Sequence, residues 1–406
     1  MAERTRPGRG LHESPIDRPF LWAWGANNCG QLGYGCVCEK QIPSDQPVPF
    51  TLESDWLKSA GGGGGFSYVV TESGQVFTCG NNTRGQLGHG DFNTLPVFSK
   101  CQFLSQTKIV KVAAGWDFML AISDAGTLLS WGSNMFGQLG RDVPGGAGCD
   151  AAPAHVGSSY LGRQVDISAG LRHGLSLSEC GKVYSWGHGK RGQLGLDVSD
   201  KTTQVRSDHP LTVPVSCTEK PIQVFAGMFH SGLLTEAGSV LMWGCNKYGQ
   251  CGQDPDITQT VPAASKVAFP TEGDKSSRHI VSVTSGWTHV ISHTDSSILY
   301  SWGRADLGQL GRICQKSCDH IPGVVIGLSG VTSHSCGSEH TLVLTEDGQV
   351  YSWGWNEHSI CGTDHEENIL EPLRVSMFVD KRIIAVGCGA GHSFCIGAGG
   401  SCEGAG

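Results

Sequence analysis

The residues of this chain best able to bind a metal or transfer protons are its 16 histidines and 17 cysteines. Five histidines end copies of one motif, A-G-x-x-H or a close relative, at intervals of 51 to 59 residues: His173, His230, His289, His340 and His392. Imidazoles gathered at one point could ligate zinc or serve as acid and base. Because each histidine belongs to a different copy of a repeat, the five are spread over the fold and cannot meet at one ion. We therefore predict a structural hydrogen bond within each repeat unit, with Gly65 and Asp117 breaking the pattern in the first two copies.

The cysteines are odd in number and scattered, which does not favour a disulfide framework. Several occupy repeat positions held elsewhere by apolar or small residues, such as Cys79 in place of a tryptophan. We expect reduced, partly buried thiols in an intracellular protein. Cys314 and Cys318, in the segment CQKSCDH, have the residue types of a zinc site, but no second pair of ligands follows. We predict neither a metal nor another cofactor.

The glycine run at residues 61–65 resembles a loop that binds phosphate groups. It lacks the following Lys-Ser/Thr, and no helical pattern comes after it, so we predict a glycine-rich copy of the A-G-x-x-H turn. No Ser/His/Asp or Cys/His set stands out from the repeat, and we expect no covalent chemistry.

Seven copies of a second motif determine the predicted architecture. Each begins with Trp-Gly or Cys-Gly and ends with Gly-Gln-Leu-Gly or a variant, and the copies start at Trp24, Cys79, Trp131, Trp186, Trp243, Trp302 and Trp353. Short alternating segments around a turn, such as HTLVLT and VYSW on either side of EDG, predict about four strands in each copy. Seven such units predict a seven-bladed β-propeller, in which the tryptophans pack between blades.

The two motifs keep a constant spacing. From the first glycine of A-G-x-x-H to the glycine of Trp-Gly there are always 17 residues, as from Gly170 to Gly187, and 8 more lead to the last glycine. All variation in length falls in the remaining 26 to 34 residues, which is typical of rigid strands joined by tolerant loops. The high content of glycine, 59 residues, favours tight turns over long helices.

The first and last copies are incomplete in a complementary way. Trp24 has no A-G-x-x-H before it, and the last A-G-x-x-H, which ends at His392, has no Trp-Gly after it. We predict that residues 20–24 pair with residues 392–396 and close the ring, which removes open strand edges. We expect a disordered leader over residues 1–18, one propeller over 19–397 and a flexible tail over 398–406.

Charge and hydropathy exclude two classes of partner. The net charge is −8 and no Lys/Arg block occurs, so we expect no nucleic-acid binding. No run of about 18 apolar residues is present, so we expect no insertion into a membrane. The N-terminus lacks the apolar stretch of a secretory signal.

The repeat resembles that of the regulator of chromosome condensation family over about residues 19–397. The resemblance is carried by the seven Trp-Gly copies and by phrases such as SGWTH, WGRADLGQLGR, SCGSEH, SWGWNEH and GCGAGHS. It implies an all-β, seven-bladed β-propeller of the regulator of chromosome condensation type, with the N- and C-terminal strands in one blade. It also implies a guanine nucleotide exchange factor for a small GTPase, with a role in secretion, exocyst-type partners, and a location in cytoplasm and nucleus.

Two departures from the founding family member qualify this expectation. That protein has a protruding wedge after the Gly-Gln-Leu-Gly element of one blade and a strongly basic tail that binds chromatin. Here the corresponding loops are short, and residues 1–10 (MAERTRPGRG) are not strongly basic. Exchange on the nuclear transport GTPase and binding to chromatin are therefore not expected.

Strand alternation places the A-G-x-x-H turns and the Trp-Gly loops on the same end of the propeller. That end carries aromatic, Arg and acidic residues, a composition typical of protein interfaces. The predicted partner-binding residues are Trp116, Asp117, Arg172, Trp287, Arg304, Asp306, Glu339, Trp355 and Glu357, with Lys190, Arg191 and Lys247 nearby. We expect a monomer that binds a protein partner through this end.

Three other functions are possible for such a propeller. A scaffold without exchange activity has the same sequence features. A plant ultraviolet receptor shares the fold, but only Trp116 and Trp287 match its tryptophans, and Asp117 and Thr288 follow them in place of arginine. A ubiquitin ligase would need a catalytic domain, for which no residues remain.

Overall fold

The computed structural model describes residues 19–42, 44, 46–50, 52, 55–157, 159–196, 205–270 and 279–398 of the 406-residue chain. The leader predicted for residues 1–18 and residues 399–406 of the predicted tail lie outside these described residues. Within the described part, 28 strands form seven four-stranded antiparallel sheets. The prediction of an all-β, seven-bladed propeller is confirmed.

The strands follow one another in the order of the blades. The first two are β1 (Phe20–Ala26) and β2 (Lys40–Gln41). Blade 1 contains β3 (Leu57–Gly62), β4 (Phe66–Thr71), β5 (Val76–Gly80) and β6 (Leu95–Lys100), and blade 2 contains β7 (Ile109–Ala114), β8 (Phe118–Ser123), β9 (Leu128–Ser133) and β10 (Cys149–His155). Blade 3 contains β11 (Gln164–Ala169), β12 (His173–Ser178), β13 (Val183–His188) and β14 (Arg206–Thr212), and blade 4 contains β15 (Pro221–Ala226), β16 (His230–Thr235), β17 (Val240–Cys245) and β18 (Thr260–Lys266).

The remaining blades continue the same pattern. Blade 5 contains β19 (Ile280–Ser285), β20 (His289–Thr294), β21 (Leu299–Arg304) and β22 (Cys318–Val324), and blade 6 contains β23 (Val331–Cys336), β24 (His340–Thr345), β25 (Val350–Gly354) and β26 (Ile369–Arg374). Blade 7 combines β27 (Arg382–Cys388) and β28 (His392–Ala398) with β1 and β2. Short 3₁₀ turns occur at Gln102–Leu104, Pro144–Gly146, Ser159–Leu161, Glu357–Ser359 and Ser376–Phe378. Among the described residues, no helix has the length and hydrophobicity needed to cross a membrane.

Burial explains why the second strand of a blade has a nearly continuous apolar sequence. In blades 2 to 6 this strand is buried along its whole length, because neighbouring blades pack against both of its faces. The outermost strands, such as β26 with the sequence ILEPLR, have one side in solvent and are mostly exposed. Burial is therefore greatest in the middle of each blade and least at its outer strand.

The innermost strands are also linked by polar side chains from blade to blade. Strand β7 lies at one edge of blade 2 and lines the channel through Ala114. Asp166 of β11 forms an ion pair with Lys111 of β7 and accepts a hydrogen bond of 2.8 Å from the amide of Val224 in β15. One buried carboxylate thus connects blades 2, 3 and 4.

Ring closure occurs in blade 7 as predicted. Strand β1 pairs antiparallel with β28, with Phe20 opposite Gly397 and Trp24 opposite Ser393. Trp22 and Trp24 of β1 also contribute to an apolar core cluster with Phe378, so closure buries large side chains as well as hydrogen-bonding groups.

Deletion of residues 1–24 is expected to unfold or aggregate the protein, because it removes the partner of β28 and leaves the edge of β28 unpaired. A chain lacking only residues 1–17 keeps all of β1 and is expected to retain the wild-type Tm. Thermal unfolding with light scattering tests both. An unchanged Tm in the longer deletion would contradict the closure mechanism.

A candidate protein-binding face

The loop face is the end of the propeller at which two kinds of connection emerge from every blade. The A-G-x-x-H turns join the first and second strands, and the Trp-Gly loops join the third and fourth strands. Because adjacent strands within a blade are antiparallel, both connections lie at the same end, as predicted.

A backbone carbonyl in each Gly-Gln-Leu-Gly segment, or in its variant, attaches the following blade. In blade 3 this is the carbonyl of Gln193, which accepts 3.0 Å and 2.7 Å hydrogen bonds from Trp243 Nε1 and Ser231 Oγ of blade 4. The tryptophan bond recurs over 2.8–3.0 Å for Trp24, Trp131, Trp186, Trp302 and Trp353. At the seventh junction Cys79 replaces tryptophan and donates to Gln31 O over 3.3 Å. The Trp-Gly tryptophans are therefore hydrogen-bond donors between blades as well as packing residues.

The recurring histidines also connect neighbouring blades, and the prediction of a bond within each blade was wrong. The Nε2 atoms lie 2.7–3.1 Å from hydroxyl oxygens of the next blade, in the pairs His173–Ser231, His230–Ser285, His289–Thr341, His340–Ser393 and His392–Ser67. The repeat pattern assigns each histidine to a blade but does not say which neighbour its ring contacts.

The hydroxyl groups determine which nitrogen of the imidazole carries the proton. Ser231 and Ser393 donate their only hydrogen to backbone carbonyls over 2.7 and 2.8 Å. Each must then accept from the histidine, so Nε2 is protonated and Nδ1 is a lone-pair acceptor. Nδ1 has no hydrogen-bond partner among the described residues in His173, His230, His289 and His340. Burial lowers the pKa of all five histidines from 6.5 to about 3, so they are neutral at physiological pH.

Phenylalanine occupies the histidine position in blades 1 and 2. Phe66 and Phe118 pair with the glycine of the Trp-Gly motif in the same register as the histidines, so Gly65 and Asp117 lie one residue earlier and were misaligned by sequence. Phe66 shares an apolar cluster with Met119 of blade 2, which stands where blades 1, 4, 6 and 7 have Ser or Thr. At this junction an apolar ring therefore meets an apolar side chain.

Seven residues form a ring around the mouth of the central channel. One follows the first glycine of each turn: Gly64, Trp116, Leu171, Met228, Trp287, Ser338 and Ala390. Five amides in this ring donate to the carbonyl of the next member, over 2.7–3.3 Å, and the amide of Ala390 donates to Gly63 O, which links blade 7 to blade 1. These bonds run between blades, so the rim of the channel is held rigidly.

Trp116 and Trp287 meet across this mouth although they belong to blades 2 and 5. Their ring centroids are 5.5 Å apart and their planes are tilted by 52°. Trp116 is 39% exposed and lies against Gly64, where a Cβ would come within 2.4 Å of the indole. Trp287 is half-buried. The pair places aromatic surface at the centre of the loop face, where interface energy usually concentrates.

Arg304, Asp306 and Glu339 form a second group on this face. The guanidinium of Arg304 donates to the carboxylate of Asp306 over 2.6 and 3.0 Å, and its Nη1 lies 3.8 Å from Glu339 Oε1. The same guanidinium is 5.1 Å from the centre of the Tyr248 ring. Contacts from blades 4, 5 and 6 therefore orient this arginine.

Glu339 is buried, with 7% of its surface exposed, which corrects the prediction that it is displayed on the face. Its carboxylate accepts hydrogen bonds from Thr288 Oγ1 over 2.6 and 2.8 Å and from Gln309 Nε2 over 2.8 Å. Burial raises the pKa of this carboxyl, and the hydrogen bonds and Arg304 partly offset the shift. The repeat pattern predicts that Glu339 lies in a turn, but it does not predict which side chains of blade 5 cover it. Glu339 acts by positioning Arg304.

Asp117 and Arg172 occupy the corresponding turn position in blades 2 and 3. Asp117 is half-buried and accepts a hydrogen bond of 3.4 Å from Gln138 Nε2. Burial raises the pKa of its carboxyl, while Ser133, Gln138 and the charge of Arg172 lower it. The guanidinium of Arg172 lies 4.2 Å from the centre of the Phe136 ring.

Sequence analysis missed the aromatic rings that support these arginines. Phe136 and Tyr248 both stand directly before a Gly-Gln segment, and this shared position was the available signal. Of the other predicted residues, Trp355 is half-buried and its amide donates to Glu339 O over 2.9 Å. Glu357 is exposed and forms no ion pair with another described residue, and Lys190, Arg191 and Lys247 are also exposed.

The cysteines considered for zinc do not form a ligand set with other described residues. Cys314 Sγ lies 3.4 Å from Arg312 Nη1, a cation that disfavours a metal there, and burial raises the pKa of its thiol. No group of three or more His, Cys, Asp or Glu in the described part of the chain could hold a metal ion. The metal-free interpretation stays a prediction.

Comparisons with known proteins agree with this architecture. The profile of the RCC1-like domain family matches residues 20–395. The chain is 36% identical to the secretion-regulating guanine nucleotide exchange factor of Bos taurus, over 93% of this chain and 82% of that protein, and 36% identical to that of Mus musculus, over 93% and 83%. The crystal structure of Prp20p from Saccharomyces cerevisiae superposes with a TM-score of 0.82 at 24% identity, over 96% of this chain and 93% of that one. The last likeness concerns the fold.

A double-mutant cycle on His173 and Ser231 tests the link between blades 3 and 4. Each alanine substitution is expected to lower the free energy of unfolding by about 1–3 kcal/mol, because it leaves a buried partner unsatisfied. In urea unfolding, the loss of unfolding free energy in the double variant should be about 1 kcal/mol smaller than the sum of the losses in the two single variants. Ser176→Ala is the matched control, since Ser176 Oγ is buried in the same strand without a partner. Fully additive losses would contradict the link.

The neutral histidines predict a steep loss of stability in acid. Their pKa is about 3 when folded and about 6.5 when unfolded, so only the unfolded state takes up protons below pH 6.5. Stability is complete above pH 6.5 and falls as the pH is lowered toward 3, by roughly 1.4 kcal/mol per pH unit for each histidine. His173→Phe introduces the residue found at this position in blades 1 and 2. It should reduce the slope of the unfolding free energy against pH by the contribution of one histidine, roughly 1.4 kcal/mol per pH unit. Parallel curves of unfolding free energy against pH for wild type and variant would refute this assignment.

Proposed function

Because the chain belongs to the RCC1-like domain family, we propose that it is a guanine nucleotide exchange factor that regulates a small GTPase. The observation that carries this proposal is the 36% identity to the exchange factors of cow and mouse, which extends over 93% of the chain. The match to the family extends over residues 20–395, which include strands of all seven blades.

Exchange requires binding energy and no covalent chemistry. A factor that binds the nucleotide-free GTPase more tightly than the GDP-bound form lowers the affinity for GDP by the same ratio. A rigid surface suits this role, because little energy is spent on ordering it when the partner binds. The loop face has this property, since its rim and its arginines are held by contacts from several blades.

We place the partner on the loop face, with Trp116, Trp287 and Arg304 as its main contacts. The two tryptophans offer apolar surface at the centre, and Arg304 offers an oriented charge beside it. Trp, Tyr and Arg anchors of this kind contribute most of the energy in protein interfaces. The exposed Glu357, Lys190, Arg191 and Lys247 would then form a polar rim.

The finer parts of the proposal concern the cell. We propose that the protein acts in secretion, with an exocyst-type component as a second partner, and that it works in the cytoplasm and nucleus as a monomer. The support for a role in secretion is the name of its relatives in cow and mouse.

A scaffold without exchange activity is the second candidate, and one observation favours it. In six blades the structure describes the whole segment between the last glycine of the Trp-Gly loop and the outer strand. This segment is short in all six. It runs from Gly33 to Lys40 in blade 7, one of the shortest, and from Gly140 to Cys149 in blade 2, the longest. None of these six segments is long enough to form an inserting element. The seventh, in blade 3, lies partly outside the described residues.

Release of a fluorescent GDP analogue from a panel of purified small GTPases separates the two functions. An exchange factor should accelerate release from one or a few members at least about tenfold, which corresponds to about 1.4 kcal/mol. Stable binding to a GTPase without faster release would identify a scaffold. If no GTPase of the panel binds the protein or releases the analogue faster, the GTPase proposal is rejected.

Trp287→Leu and Arg304→Ala test the choice of face. Each is expected to weaken binding of the responsive GTPase by about 1–3 kcal/mol in calorimetric titration. Leu171 occupies the turn position equivalent to Trp287, so Leu is compatible with that turn. Glu346→Ala, in a hairpin at the opposite end, is the control and should leave the affinity unchanged. Loss of binding in the control but not in the two variants would place the partner on the other end.

A further inference from the structure

The mouth of the central channel opens into a cavity of about 160 Å³ whose wall is rich in backbone. It is lined by glycines and alanines from all seven blades, together with Tyr68, Trp116, Leu171, Ser285, Trp287, Cys336, Ser338 and Cys388. Glycine is required here for close approach: a Cβ on Gly63 would lie 2.2 Å from Gly115 O, and one on Gly227 would lie 2.5 Å from Gly286 O. The hydrogen-bonding groups of the cavity are therefore mainly peptide groups.

The amides of this wall are almost all engaged. The first glycine of each of the seven turns donates its N–H to the residue three positions later, over 2.8–3.0 Å. Six of the seven ring residues at the mouth donate theirs to the neighbouring blade, and Leu171 is the exception among the described residues. The wall consequently offers very few donors to a ligand.

Most carbonyl oxygens of the same glycines lack a hydrogen-bond donor, although those of Gly115, Gly227, Gly337 and Gly389 pack against the glycine of the preceding blade. Those of Gly115, Gly170, Gly227, Gly337 and Gly389 accept no hydrogen bond from any described residue. Ser338 Oγ already donates its hydrogen to Ala390 O over 2.6 Å, so it too is left as an acceptor. A ligand that fits this wall must donate hydrogen bonds.

Charge and aromatic surface further restrict the ligand. The acids Asp117 and Glu339 directly follow Trp116 and Ser338 of the mouth in the sequence. The nearby cations are engaged elsewhere, Arg172 over Phe136 and Arg304 with Asp306. Indole faces attract cations, and a planar guanidinium with five donors suits both an aromatic face and several carbonyl acceptors.

From these observations we propose that the channel mouth binds an arginine side chain of a protein partner. The guanidinium would lie against Trp116 and Trp287 and donate to the free carbonyls of the glycine turns. This deepens the proposed function by naming a chemical feature of the partner, and it rests on the loop face being the docking surface.

The indole N–H signals of ¹⁵N-tryptophan-labelled protein provide a direct test. The probe is acetyl-Gly-Arg-Gly-amide. Two control peptides carry Gln or Lys in place of Arg: the Gln peptide tests the need for charge, and the Lys peptide tests the need for the planar shape. The Arg peptide is expected to shift the signals of Trp116 and Trp287, assigned from their Leu variants, while the other indoles stay in place. The Gln peptide should shift neither, and the Lys peptide should bind more weakly.

Variants at the ring separate binding from folding. Trp116→Leu and Trp287→Leu should each weaken the binding of the Arg peptide about three- to thirtyfold. Ala390→Leu narrows the mouth while keeping both indoles, and it should abolish binding, with an unchanged Tm since Leu171 occupies the equivalent turn. Equal shifts from the Arg and Gln peptides, tighter binding of the Lys peptide, or unaffected binding in Ala390→Leu would each overturn the proposal. The assay contains no GTPase, so its failure is distinct from a failure of nucleotide release.

Discussion

The carbonyl oxygen of the second residue in each Gly-Gln-Leu-Gly segment is the point on which the propeller depends. A four-stranded sheet cannot bury both of its faces alone, and each blade obtains its second covering from the next one. At every junction this carbonyl accepts a hydrogen bond from a tryptophan, or from Cys79, of the following blade. Three of these carbonyls also accept from a serine, as Gln193 does from Ser231. An unpaired carbonyl in this buried place would cost about 1–3 kcal/mol, so the two motifs of the repeat must occur together.

The glycines of the turns impose a second constraint, at the narrow end of each blade. Seven inner strands can meet around one channel only if their turns approach each other more closely than a side chain allows. Gly63 and Gly115 show the consequence, since the oxygen of one lies where a Cβ of the other would be. The same close approach engages six of the seven ring amides and leaves several carbonyls without a donor. The chemistry of the channel mouth is therefore a consequence of packing.

The loop face takes its shape from contacts between blades. Arg304 is held by Tyr248, Asp306 and Glu339, which belong to blades 4, 5 and 6, and the indoles of Trp116 and Trp287 meet only because blades 2 and 5 face each other across the ring. A change that loosens one junction would move several of these groups together. Binding and stability are coupled in this fold because the same junctions serve both.

The sequence by itself determined the number of blades, the strand order within them and the closure of the ring. These follow from local patterns, namely constant spacing between motifs, alternation around turns, and the complementary halves at residues 20–24 and 392–396. It did not determine which neighbour a side chain meets. Phe66 and Phe118 were overlooked at the histidine position, although the spacing of the motif places them there. The histidine bonds were assigned to the wrong blade, and Glu339 was expected at the surface. Only the tertiary structure decided these last two points, because each depends on residues 30 positions or more away that the ring brings alongside, and a repeat pattern carries no record of the direction in which a side chain crosses to the next blade.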